Sequence, residues 1–183
     1  LDEIIRLYPN PVTLSERGYF YGQIGDFQKA FKDFNVALNF DDENSRIYQR
    51  RCLTYIAQNE YEEAITDCYN SIKLDKNDPE SYYYLGYIFA LKGEYLKSVK
   101  YYNLAIDKIG GEKNYYIAEM QYRIITKSDV YISLAEIYLK LENKQLACEE
   151  FQNALEELNE EKFLENRGKK VEKITENLRD NCN

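Results

Sequence analysis

Large, small and aromatic residues recur along this chain at helical spacing, in two alternating blocks. Leu14, Gly18 and Tyr21 form the first block, which returns as Tyr48, Cys52 and Tyr55, as Tyr82, Gly86 and Phe89, and as Tyr131, Ala135 and Tyr138. A second block follows each: Phe27, Ala30, Phe34 and Ala37, then Tyr61, Ala64, Cys68 and Ser71, then Tyr95, Ser98, Tyr102 and Ala105, and last Lys144, Ala147, Phe151 and Ala154. Within each block the positions repeat as i, i+3, i+4 and i+7, which predicts a helix with one buried stripe. The first three copies are spaced by 34 residues without a gap, and the fourth arrives 49 residues later, so 15 residues are inserted before it. Between the blocks stand Gly25-Asp26, Asn59-Glu60 and Gly93-Glu94. Glycine or asparagine ends a helix in the left-handed conformation, and the acid that follows caps or favours the next helix start. Each unit is therefore expected to be helix, tight turn, helix.

One such hairpin cannot bury its apolar face alone, so successive hairpins must stack, with small residues allowing close approach and large ones filling the gaps beside them. The expected fold is all-α, an open superhelix of antiparallel hairpins. The blocks resemble the tetratricopeptide repeat (TPR) family, whose pattern runs bulky-x2-Leu-Gly-x2-Tyr, then Ala-x3-Phe-x2-Ala, then Pro. Tyr82, Leu85, Gly86 and Phe89 carry its first half, and Ala30, Phe34 and Ala37 its second. The resemblance implies a TPR-like solenoid with repeats at 11–44, 45–78, 79–112 and 128–161. The departures are Asp42, Lys76, Gly110 and Asn159 for the late proline, Arg17 and Arg51 at leucine positions, and Cys52 for a glycine.

Residues 1–10 read as the tail of a preceding helix or an N-terminal cap, with Leu1, Ile4, Ile5 and Tyr8 in helical spacing. Residues 162–183 read as a C-terminal capping helix with the stripe Phe163, Leu164, Val171, Ile174 and Leu178, covering the last stacking face. Residues 113–127 are too apolar for a free loop, since they include Tyr115, Tyr116, Ile117, Met120, Tyr122, Ile124 and Ile125. A partly helical insertion packed on the array is expected there.

Composition narrows the chemistry. The chain has 183 residues, 44% hydrophobic and 31% charged, a core-forming balance. Its net charge of −8 repels phosphate backbones and argues against nucleic acid as a partner. The longest mostly apolar run, Tyr82 to Leu91, is about half of what a bilayer needs, so no membrane insertion is expected. The chain opens at Leu1 without a methionine, which leaves room for a targeting signal upstream. No histidine occurs, which removes the commonest general base and metal ligand. Gly18, Gly22 and Gly25 lack the strand and the Gly-Lys-Ser/Thr ending of a phosphate loop. The acids Glu149, Glu150, Glu156, Glu157, Glu160 and Glu161 fit a solvated helix face. No catalytic site, metal or cofactor is expected.

The cysteines, Cys52, Cys68, Cys148 and Cys182, show no CxxC spacing and are expected to be reduced thiols of a cytoplasmic protein. The resemblance sets Cys52 and Cys68 face to face within one hairpin. A disulfide is one reading there, and packed free thiols are the favoured one.

In TPR-like arrays the first helix of each hairpin lines a concave groove. Carried over position by position, that groove takes Tyr19 and Gln23 from the first unit, and Arg46, Gln49, Arg50, Leu53 and Ile56 from the second. The third gives Tyr83, Tyr84, Tyr87 and Leu91, and the fourth Ile132, Glu136 and Lys140. Tyr82, Leu85, Gly86 and Phe89 already take the core columns, so Tyr83, Tyr84 and Tyr87 are expected on the working surface, where tyrosines make a rigid, amphipathic platform. Arg46 and Arg50, one turn apart, are expected either to meet a ligand carboxylate or to pair with local acids such as Glu80. The two-carboxylate clamp of co-chaperone TPR domains maps to Ser15, Tyr19, Arg50, Glu80 and Tyr84, or one repeat on to Gln49, Leu53, Tyr84, Asp129 and Ser133. Only Arg50 has suitable chemistry in the first frame, which argues against that activity. The expected function is binding of a protein or peptide segment. The alternative is a structural scaffold, self-associating through the array ends or the 113–127 insertion.

Overall fold

The computed structural model describes residues 10–109, 125–160 and 167–182. These residues form nine helices and no strand: α1 (Pro11–Gln23), α2 (Phe27–Phe40), α3 (Ser45–Gln58), α4 (Tyr61–Leu74), α5 (Pro79–Leu91), α6 (Tyr95–Lys108), α7 (Lys127–Lys140), α8 (Lys144–Glu160) and α9 (Arg167–Asn181). The all-α hairpin-repeat fold expected from the sequence is the one found. The reading of 1–10 falls outside the described residues, except for Asn10, and so does most of 113–127. The molecule divides into two compact units, Leu1–Ile88 and Phe89–Asn183, and the division falls within α5.

The repeated blocks become repeated burial. Ala30, Ala64, Ser98 and Ala147 are fully buried, as are Ala37, Ser71, Ala105 and Ala154. In the first unit Leu14, Ala30, Phe34, Ala37 and Ile47 form a core, with Tyr21, Phe31 and Val36 against it. Burying Leu14, Phe34 or Ile47 stabilises the fold by about 1.5–3 kcal/mol each, and an alanine by less. The small residues set how closely helices approach: a Cβ at Gly22 of α1 would stand 2.8 Å from Thr54 Oγ1 of α3.

The four hairpin turns share one hydrogen-bond pattern. The amides of Asp26, Glu60, Glu94 and Asn143 donate to the carbonyls of Tyr21, Tyr55, Phe89 and Tyr138 at 2.8–3.0 Å. This six-to-one bond closes a helix whose next residue is left-handed. Gly25 (φ 80°), Asn59 (φ 64°), Gly93 (φ 74°) and Glu142 (φ 58°) hold that position. Glutamate carries a Cβ penalty there that glycine escapes. Glu142→Gly is therefore expected to stabilise the fold by about 0.5–1 kcal/mol, read as a higher urea midpoint; an unchanged or lower midpoint would contradict the turn geometry.

The two arginines at leucine positions are compensated on the facing helix. Arg17 grips Asp33 with Nε and Nη2, both at 2.7 Å, and Arg51 grips Asp67 in the same way at 2.6 and 2.8 Å. The third and fourth repeats carry Leu85 and Leu134 instead, and Tyr101 and Glu150 in place of the aspartates. A departure from the family pattern at one column is thus matched by a departure at another.

The expectation of reduced thiols is corrected. Cys52 is bonded to Cys68 and Cys148 to Cys182, and no free cysteine remains. The Cα atoms lie 5.6 and 5.9 Å apart, inside the span a disulfide bridges. The physical reason is packing. In the first repeat Gly18 faces Phe34, so that a Cβ on Gly18 would meet the ring at 3.2 Å. In the second repeat two mid-sized side chains fill the same slot as that small–aromatic pair, which holds their sulfurs within bonding reach of each other.

In the second unit α9 caps the array. Ile174 is buried among Ile132, Ala135, Phe151, Ala154 and Leu158, with Val171 and Leu178 beside it. The Cys148–Cys182 bond ties α9 to α8, and Lys170 of α9 reaches Asp129 of α7 at 3.0 Å. Burial alone would raise the Asp129 carboxyl. The Lys170 ammonium and the hydrogen bonds of Thr126 outweigh it and hold the group below its ordinary range.

Candidate functional site

The site residues of the first unit gather where α1, α3 and the start of α5 meet. Asp78 organises this corner. Its carboxylate caps α5 by accepting from the Glu80 amide at 3.1 Å and from Ser81 Oγ at 2.7 Å, and it also accepts from Gln49 Nε2 of α3 at 2.7 Å. Asn10 and Asn44 cap α1 and α3 from the same column, so Asp78 was legible as a cap but not as the link between α3 and α5.

Above this corner lie the tyrosines. Tyr19, Tyr83 and Tyr84 are partly exposed and Tyr87 is 41% exposed. The Tyr83 and Tyr84 rings meet edge to face with centroids 6.0 Å apart. Burial, then the charges and hydroxyls of Glu80, Tyr19, Asp78 and Tyr83, push the Tyr84 hydroxyl well above its ordinary value, so it stays a neutral donor.

Of the two readings of the basic residues, Arg50 follows the local one, with Glu16 and not Glu80 as its acid. Arg50 is buried at 6% exposure, donates to Ser15 Oγ and pairs with Glu16 at 3.3 Å. It is committed to the protein itself and is not an open clamp for a ligand carboxylate, because its long side chain runs inward between α1 and α3. Gln49 is likewise buried and committed to Asp78. Arg46 is exposed. Leu53 is half-buried, Ile56 is buried and Gln23 is exposed.

In the second unit Leu91 is 47% exposed, and Lys140 is exposed. Ile132 and Glu136 were expected on an open surface. α9 buries Ile132 against its apolar stripe, whereas Glu136 stays exposed with Lys173 beside it. Asp129, in the alternative clamp frame, is bound to Lys170.

Glu80 is the group that the sequence underplayed. Burial pushes its carboxyl up to about 7 from the ordinary 4.5; Asp78 adds to the rise, and Arg46 and Arg50 oppose it. Between those values the folded protein holds a proton that the unfolded chain has released, so stability falls as pH rises from about 4.5 to 7 and levels off above. Glu80→Gln, a mimic of the protonated form, is expected to match the parent at pH 5 and to be more stable at pH 8 by about 1–2 kcal/mol, allowing for partial solvent screening. Urea midpoints at the two pH values test this; equal offsets at both would contradict it.

Among the described residues no helix is long and apolar enough to cross a membrane, and no group of three or more His, Cys, Asp or Glu side chains is placed to hold a metal ion. Hairpins of this geometry, with a polar and aromatic face on their first helices, define an all-α repeat protein of the TPR solenoid class. Residues 53–93 match the family model described as TPR repeat, and residues 128–157 match that described as tetratricopeptide repeat. The chain thus carries tetratricopeptide repeats in these two stretches. It is 30% identical over 83 residues to the small glutamine-rich tetratricopeptide repeat-containing protein of Dictyostelium discoideum. That stretch is 45% of this chain and spans only 25% of the relative's length. Among solved structures, the crystal structure of MamA is similar with a TM-score of 0.70 and 21% identity, covering 87% of this chain and 85% of that one. The type III secretion chaperone SycD of Yersinia enterocolitica, in complex with a peptide of the translocator YopD, is similar with a TM-score of 0.59 and 20% identity, covering 70% of this chain and 92% of that one.

Proposed function

We propose that this chain is a protein–protein interaction module and that the tyrosine face of its first unit holds an extended peptide segment. The observation that carries this is that Tyr19 and Tyr83 stand beside Tyr84, with Tyr87 one turn on along the same helix and 41% exposed, while the apolar columns of these helices are buried elsewhere. Such rings bury large area at low side-chain entropy, which is why tyrosine dominates many recognition surfaces. A peptide bound to SycD, a protein of like fold, supports a peptide as the class of ligand. Arg50 and Gln49 position α1, α3 and α5 and stand behind the surface. Tyr87→Ala is expected to weaken capture of a partner by about tenfold while helical circular dichroism stays unchanged, since a central interface aromatic contributes about 1–3 kcal/mol. Undiminished capture would sink the reading.

The proposal extends to the compartment. Two closed disulfides support an oxidising environment over a cytoplasmic one. Protein taken from its native source, alkylated before and after reduction, should gain four alkyl groups only after reduction; four groups gained beforehand would restore the cytoplasmic reading.

A further inference from the structure

The tyrosine face contains a carboxyl whose desolvation the nearby arginines do not fully offset. Glu80 stands in the first turn of α5, one turn before Tyr84. Among the described residues no side chain hydrogen-bonds its carboxylate. The nearby guanidinium of Arg50 is turned to Ser15 and Glu16, and the carboxylate of Asp78 is taken by the α5 cap and by Gln49. Burial of Glu80 prevails over the pull of Arg46 and Arg50 and lifts its carboxyl to about 7, so the counter-charge present does not offset the desolvation. Among the described residues, the charges at this corner are three carboxylates, Glu16, Asp78 and Glu80, against two guanidinium groups, Arg46 and Arg50. The local balance favours an incoming cation.

We propose that the Glu80 carboxylate, flanked by Tyr84, Tyr83 and Tyr19, anchors a lysine or arginine side chain of the bound segment. This rests on the reading of the face as peptide-binding. The chemistry is complementary on two counts. A carboxylate forms a charge-assisted hydrogen bond with an ammonium or guanidinium group, and tyrosine rings attract a cation over their faces. Glu80 is half-buried, and the lower local dielectric strengthens such a pair over one in open water. An acidic segment is disfavoured by the same balance. The face therefore selects in the opposite sense to a carboxylate clamp.

The test uses the full chain at pH 8 and fluorescein-labelled decapeptide pools of equal composition, with the central residue set as Lys, Arg, Gln or Glu. Anisotropy titrations should show the Lys and Arg pools binding about tenfold tighter than the Gln pool, with the Glu pool weakest. Glu80→Gln should reduce that preference to less than about threefold, and Tyr87→Ala should weaken every pool alike. Equal binding of the four pools, or a preference that survives Glu80→Gln, overturns the cationic anchor and leaves the peptide-binding face intact if Tyr87→Ala still weakens binding. If no pool binds in a way that Tyr87→Ala weakens, both readings are overturned. Circular dichroism of each variant verifies that its helices are retained.

Discussion

Removing the two disulfides should be among the most damaging changes this chain can suffer. Cys52–Cys68 closes a separation of 16 residues and Cys148–Cys182 one of 34. In the chain-entropy description, a cross-link restricts the unfolded chain by an amount that grows with the logarithm of the loop, which gives about 3 kcal/mol for the first and about 4 kcal/mol for the second. The losses are expected to be local, because contacts in repeat proteins run between neighbours. Cys52→Ala with Cys68→Ala should raise hydrogen exchange in α3 and α4. Cys148→Ala with Cys182→Ala should raise it in α8 and α9, and should loosen the cap over Ile132 and Phe151. Exchange rates that match the parent in both helix pairs would show that the bonds do not contribute to the fold. The second pair is the more consequential, since α9 covers the apolar face that Ile174, Val171 and Leu178 seal.

Breaking a buried arginine–aspartate pair is expected to be nearly as costly. Asp33 retains 7% side-chain exposure against Arg17, and its two oxygens accept both arms of the guanidinium. Asp33→Ala strands that guanidinium in a poorly solvated position and should destabilise the fold by about 3 kcal/mol. The pair itself is weak evidence for stability, because desolvating two charges offsets much of their attraction. Replacing both partners is therefore the informative experiment. Arg17→Leu with Asp33→Tyr copies the residues that the third repeat carries at Leu85 and Tyr101. The double variant is expected to fall within about 1 kcal/mol of the parent. Urea unfolding of the single and double variants closes the cycle; a double variant no better than Asp33→Ala would show that the two repeats do not share one packing scheme.

Much of the fold was legible because it depends on local periodicity. The columns headed by Ala30 and Ala37 are buried in every repeat, since a hairpin that must stack has no other place for small residues at that spacing. The turns were legible in the first three copies through Gly25, Asn59 and Gly93. The fourth uses Glu142, whose left-handed backbone follows from the same hydrogen bond and not from residue type.

The candidate site was legible in part. Surface position placed Tyr83, Tyr84 and Tyr87 away from the core columns, because a helix that buries one stripe must present another. Arg50 and Gln49 stand on that same first-helix surface in sequence, yet both are buried and bound to Ser15, Glu16 and Asp78. A long polar side chain points wherever its partners are, and those partners lie 29 to 35 residues away. Glu80 read as one more acid near two arginines. Only the packing of α5 against its neighbours removes water from it.

The sequence by itself determined the stack of hairpins, since a 34-residue period of large and small residues can be buried only by stacking. Tertiary structure alone decided three things: that four cysteines without a motif make two bonds, that α9 buries Ile132, and that Arg50 is bound within the protein while Glu80 is desolvated beside it. The reason is common to all three. Periodicity specifies which residues turn inward, but a bond, a cap or a desolvated charge depends on which distant group arrives at the same point in space.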